Sequence, residues 1–108
     1  MAVAYLKDLG YRILDRNVRN KLGEIDIVAQ DKDTLCFIEV KTRRTARFGS
    51  PFEAVTPRKQ RKLIRLAEMY LQDKNIVASN IRFDCLAVFV EEPKDNQITL
   101  IKGAFEGE

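Results

Sequence analysis

Three residues at two spacings, Asp26, Glu39 and Lys41, are the strongest candidates for chemistry in this chain. Gly23-Glu24-Ile25-Asp26-Ile27-Val28-Ala29 and Thr34 to Thr42 read as two strands joined by the tight turn Asp31-Lys32-Asp33, an antiparallel hairpin. Strand side chains alternate between faces. Ile25, Ile27 and Ala29 are expected on one face, with Glu24, Asp26 and Val28 on the other. Cys36, Ile38 and Val40 then oppose Leu35, Phe37, Glu39 and Lys41. A turn centred on Lys32-Asp33 pairs Val28 with Phe37, Asp26 with Glu39, and Glu24 with Lys41. Directly opposed side chains start about 4.5–5.5 Å apart, so two carboxylates meet. Their repulsion needs relief from a divalent cation, from Lys41, or from protonation of one acid. The alternative is an open sheet face on which Asp26 and Glu39 pair with Lys41 and Arg43. Phe37, Ile38 and Val40 around Glu39 argue against a fully open face.

Histidine is absent, which removes the Ser-His-Asp and Cys-His nucleophile systems and imidazole-ligated zinc or iron. Two cysteines, Cys36 and Cys85, cannot supply an all-thiolate zinc site; in apolar surroundings they read as buried reduced thiols of a cytoplasmic protein. Acid–base work falls to carboxylate, lysine or tyrosine, and any metal is expected to be an oxygen-ligated one such as magnesium, manganese or calcium.

Net charge is +3, unevenly spread. Lys41 to Arg65 holds nine basic residues and one acid, Glu53, and is +8; the remainder is −5. A basic centre suits a polyanion such as nucleic acid, and suits a solvated helix face plus a loop equally well.

With 108 residues the chain is one domain, 1–108, able to bury over ~60% of its unfolded surface. The longest apolar run, Cys85 to Val90, is far short of the ~20 residues that span a membrane, so no membrane association is expected. The Met1 to Lys7 start lacks the features of a signal peptide.

Val3, Leu6 and Leu9 predict a short first helix ended by Gly10, and Tyr11 to Val18 a strand. Arg43 to Val55 reads as a long loop. Thr56-Pro57 supplies an N-cap and an N1 proline for a helix over Pro57 to Lys74, with Leu63, Leu66, Ala67, Tyr70 and Leu71 as its buried stripe. Ile81 to Val90 is a central strand, Ile98 to Ile101 a short last one, and 103–108 a flexible tail. The class is α/β.

Asp26 followed across a hairpin by Glu39-Val40-Lys41, within α-β-β-β-α-β, resembles the PD-(D/E)XK nuclease superfamily. Gly23-Glu24-Ile25-Asp26 at this distance from Glu39-Val40-Lys41-Thr42-Arg43 is similar to the YraN family of small bacterial proteins. Phe48-Gly49, Lys59-Gln60, Tyr70-Leu71 and Arg82-Phe83-Asp84 extend that likeness over nearly the whole chain. The resemblance implies a restriction-endonuclease-like core, akin to archaeal Holliday-junction resolvases: a central mixed sheet flanked by helices, plus a short C-terminal strand.

It further implies a Mg- or Mn-dependent endonuclease acting on DNA, on branched or damaged substrates. Asp26 and Glu39 match the metal-binding acids, and Val40's carbonyl oxygen the completing ligand. Lys41 matches the lysine that orients the attacking water and Gln60 a polar residue brought near from the following helix; Glu24 has no fixed role in the superfamily and is expected to support the site by pairing with Lys41. Arg43, Arg44, Arg47, Arg58, Lys59 and Lys62 are the expected nucleic-acid contacts. Relatives carry a glutamate one turn before Ala2, so the first helix is expected to be truncated and the metal site less complete. Cutting a symmetric four-way junction would need two sites, hence a homodimer. The competing expectation is a nucleic-acid-binding module on the same fold with little or no catalysis.

Overall fold

The computed structural model describes residues 2–43, 56–89 and 97–105. Helix α1 (Ala2–Asp8) is followed by strands β1 (Arg12–Asn20), β2 (Gly23–Asp31) and β3 (Thr34–Arg43), helix α2 (Pro57–Asp73), and strands β4 (Ile81–Phe89) and β5 (Gln97–Phe105). The strands form one mixed sheet in the order β1-β2-β3-β4-β5. Only β3 and β4 run parallel, because the chain between them crosses through α2; the other neighbours are antiparallel. No described helix is long and apolar enough to cross a membrane.

Both helices end as their residues dictate. After α1, Gly10 takes φ +96°, and the amides of Gly10 and Tyr11 bond back to the carbonyls of Lys7 and Leu6. That is a Schellman cap, which a residue without Cβ adopts at least cost. Asn75, at φ 59°, does the same after α2, and the Ile76 amide reaches the Leu71 carbonyl. At the other end of α2 the Thr56 hydroxyl accepts the Lys59 amide at 3.2 Å, and Pro57 occupies the first turn.

Each sheet face carries its own core. Leu66, Ala67 and Tyr70 of α2 cover Ile25, Val28, Leu35, Phe37 and Phe83. Phe37 is the hub there, edge-on to Tyr70 at 5.9 Å and stacked on Phe83 at 5.7 Å. On the opposite face Leu6 of α1 joins Tyr11, Ile27, Ala29, Cys36, Ile38 and Leu86. Leu63 and Leu71 of the expected α2 stripe are only partly buried, at its margin. Cys36 packs on the α1 side, while Cys85 shares the strand parity of Phe83 on the α2 side; both are buried free thiols.

Two expectations are corrected. The last strand is not four residues long: β5 spans Gln97–Phe105, so 103–105 belong to the sheet and not to a tail. The Gly103 amide donates to the buried Asp84 carboxylate at 2.9 Å, an anchor that hydropathy does not register. Strict alternation also fails in β2. Ile25 packs with Val28 on the α2 side, away from Ile27 and Ala29. The break falls at Asp26, which the β1–β2 register places opposite Asn17, itself left-handed at φ 52°.

Candidate metal centre and nucleic-acid interface

The β2–β3 ladder follows the predicted register through Asp31↔Thr34, Val28↔Phe37 and Ile27↔Ile38, then stops. The extrapolated pairs Asp26 with Glu39 and Glu24 with Lys41 do not form as ladder pairs. Asp26 is the physical reason: its Oδ2 accepts the Val40 amide at 2.8 Å, a donor that a continuing ladder would give to a backbone carbonyl of β2. The strands part there, with a carboxylate set between them.

Asp26, Glu24 and Glu39 border one cleft of about 100 Å³, floored by Phe37 and Phe83 and flanked by Leu63 of α2. That is room for several waters, hence for a hydrated ion, and too little for a base. Asp26 and Val40 also border a second cleft, of about 340 Å³, beside Ala2 and Val3 of α1 and Arg16 and Asn17 of β1. Asp26 is therefore approached from both faces of the sheet.

The Asp26 carboxyl is held above its usual 3.8. Burial is the largest cause, the carboxylates of Glu39 and Glu24 add to it, and the Val40 hydrogen bond opposes it. Lys41 Nζ lies 3.2 Å from Glu39 Oε1, with the two side chains 11% and 25% exposed. Glu24 does not pair with Lys41, a second correction: its carboxylate takes Arg19 Nε at 2.5 Å, across the β1–β2 turn. Where the ladder has opened, Lys41 is left to the acid two residues away on its own strand face.

Asp26 and Glu39 offer carboxylate oxygens and Val40 a backbone carbonyl at the same strand opening. This hard-oxygen donor set suits Mg2+ or Mn2+. Among the described residues no three acidic, cysteine or histidine side chains assemble as a metal-holding group. Gln60 is half-buried in the first turns of α2, one turn before Leu63, and does not border the acidic cleft.

The basic residues divide. Arg58, Lys59 and Lys62 line one open groove of about 680 Å³ along α2, together with Arg61 and Arg65. Arg43 ends β3, and Arg44 and Arg47 lie outside the described residues. Lys62 also has a packing role. A Cβ on Gly23 would sit 3.1 Å from Lys62 Cε, so the lysine stem lies against bare backbone at the start of β2. Gly23 has φ +151°, which further favours glycine.

A buried charged network was not expected from the sequence. Asp84 is 3% exposed. Arg82 Nε and Nη2 reach its two oxygens at 2.8 and 2.9 Å. Nη2 also donates to Tyr11 Oη at 2.7 Å and Asp31 Oδ2 at 3.0 Å. Lys102 of β5 approaches the same Asp31 oxygen at 3.5 Å. Burial opposes ionisation of Asp31, yet Arg82 and Lys102 together hold its carboxyl below the usual range. Burial and the nearby Asp84 push the Cys36 thiol up to about 12, so it is inert as a nucleophile at neutral pH. The available signal was two charges, Arg82 and Asp84, at alternate positions of an otherwise apolar strand.

Fold and site together define a small α/β domain with a mixed five-stranded sheet, carboxylates at a strand opening and an adjoining cationic groove. Comparison with known proteins gives the family. The profile described as "Uncharacterised protein family UPF0102" matches residues 1–88. The UPF0102 protein of Geobacter sulfurreducens is 50% identical over 106 residues, covering 98% of this chain and 83% of its own. That of Syntrophus aciditrophicus is 49% identical over 106 residues with the same coverage. That of Caldicellulosiruptor saccharolyticus is 48% identical over 105 residues, covering 96% and 89%. The chain belongs to the UPF0102 family, the YraN family that its motifs resemble.

Proposed function

We propose that this chain is a metal-dependent endonuclease-like protein that hydrolyses phosphodiester bonds of DNA, with branched or damaged DNA as its substrate. One observation carries the reading: β2 and β3 part at Asp26, so that Asp26, Glu39 and the Val40 backbone meet beside Lys41. Bound there, Mg2+ or Mn2+ would supply Lewis-acid polarisation of a phosphate oxygen and a more acidic water. The protein's own contributions are separate. Asp26 and Glu39 place negative oxygens at the strand opening. The Val40 amide holds the Asp26 carboxylate in one orientation. Lys41, once drawn from Glu39, presents a cation to a nucleophile or to charge developing on phosphate. The α2 cations hold the backbone without reading its sequence.

The competing reading is a nucleic-acid-binding module without catalysis. It draws on Glu24, Asp26 and Glu39 sharing one cleft without assembling as a three-ligand group among the described residues, and on the Lys41–Glu39 pair that neutralises two of the proposed groups. The deciding experiment incubates the protein with linear, flapped and four-way DNAs in Mg2+, Mn2+ or chelator. The expected result is metal-dependent cutting that falls at least ~100-fold in Asp26→Asn and Lys41→Ala, the scale on which misplaced catalytic groups cost rate. Tight DNA binding with no cutting in either metal would replace the nuclease reading with the binding module.

A further inference from the structure

We infer that Leu22, at the tip of the β1–β2 turn, is an apolar wedge that selects nucleic acid whose base stacking is already interrupted. The inference rests on the nucleic-acid reading above and adds to it the residue that selects an interrupted substrate.

Leu22 keeps 36% of its surface exposed, although the α2-side core lies close by. It lines the groove along α2, where its described neighbours are Thr56 and five cations. The stems of these lysines and arginines still leave 36% of that leucine in water, where it gains little. It does gain if a partner brings both negative charge and an apolar surface, and nucleic acid brings both, as phosphate and as base faces.

The turn is built to hold that side chain in place. The Leu22 amide donates to Asn20 Oδ1 at 2.8 Å, closing the turn on itself. The next residue, Gly23, lies against the Lys62 stem, which fixes the tip to α2. An exposed leucine on an anchored turn, flanked by phosphate-binding cations, has the chemistry of side chains that enter between base steps and unstack them. Unstacking is costly within continuous duplex and least costly where pairing is broken, at a branch, nick or mismatch. The wedge therefore discriminates against intact duplex while the cations bind both forms alike.

Its position suits the acidic site. Four residue steps of chain lead from Leu22 to Asp26, about 13 Å if extended. That is the rise of about four base pairs. A strand unstacked at Leu22 thus runs toward the strand opening with its phosphates against α2.

The test is made in chelator, where no cutting competes with binding. Affinities of wild type, Leu22→Ser and Leu22→Phe are compared on a four-way junction and a linear duplex of equal length, with 2-aminopurine at the branch. Wild type is expected to prefer the junction by on the order of tenfold, and to raise the 2-aminopurine signal. Leu22→Ser loses both effects, and Leu22→Phe retains them. Equal junction preference in wild type and Leu22→Ser overturns the wedge, as does a wild type with no preference. Absence of binding to any nucleic acid overturns the wedge and the nucleic-acid reading together. A Leu22-dependent preference without metal-dependent cutting removes only the nuclease reading.

Discussion

Asp26 carries opposed demands, because the geometry that suits it to a metal also penalises its charge. Burial and the neighbouring carboxylates raise its pKa in the fold, so the sign of its effect on stability is set. A carboxyl with a raised folded-state pKa contributes stability below its unfolded pKa, and that contribution is lost as pH rises through the folded value. At neutral pH the ionised Asp26 therefore costs stability in the metal-free protein. Asp26→Asn keeps an acceptor for the Val40 amide and removes the charge. Its melting temperature in chelator at pH 7 is expected to exceed that of wild type, with the difference vanishing as pH falls through the carboxylate range. Mn2+ should raise the melting temperature of wild type and leave the variant unmoved, because only a ligand bound to the folded state stabilises it. A variant that melts lower than wild type in chelator would show that Asp26 is not electrostatically penalised.

At the scale of elements, β4 does two kinds of work. Phe83 and Leu86 fill the two cores, while Arg82 and Asp84 tie β4 to Tyr11, to Asp31 of β2 and to Gly103 of β5. A buried ion pair of this kind is weak as a source of net stability, because desolvation offsets most of the attraction. Breaking it is another matter. Arg82→Ala leaves the Asp84 carboxylate buried without its bidentate partner, at a cost of about 3–5 kcal/mol. Chemical denaturation is expected to show this loss in the midpoint, and Arg82→Leu combined with Asp84→Leu should recover most of it. Equal destabilisation of the single and double variants would mean that packing, and not the stranded charge, sets the cost. The network touches neither the α2 groove nor Lys41, but Asp84 borders the acidic cleft with Asp26 and Glu39, so the denaturation midpoint and not cutting is the readout for these variants.

Across the whole molecule, charge is segregated in space as it is along the chain. Acids gather at the strand opening, and five cations line the groove on the adjoining helix. If those five neutralise phosphates on duplex DNA, the logarithm of affinity should fall against the logarithm of salt with a slope of about −4.5. Reversing Arg58, Arg61 and Arg65 to glutamate should flatten the slope and weaken all sequences alike. A slope near zero in wild type would exclude electrostatic docking on α2. The triple reversal leaves Lys62 in place, whose stem packs on Gly23 and whose loss would mix binding with stability.

Local rules determined much of this protein in advance. Thr56-Pro57 started α2, Gly10 closed α1, and the Asp31-Lys32-Asp33 turn set the β2–β3 register as far as Ile27↔Ile38. Each is a short-range preference that no distant contact overrode. The motif also placed Glu39 beside Lys41, since two residues of one strand face the same side. The failures share one cause. Asp26 ended the ladder by taking the Val40 amide, Ile25 changed faces, and Glu24 turned to Arg19, all where strict alternation gave way opposite the left-handed Asn17. The reach of β5 to Phe105 likewise depended on Asp84, 19 residues before the glycine it anchors. Alternation and capping are properties of neighbouring residues and can be read along the chain. Which carboxylate satisfies which distant amide, and which cation a buried acid receives, is decided only when separate strands are brought together and every buried polar group must find a partner.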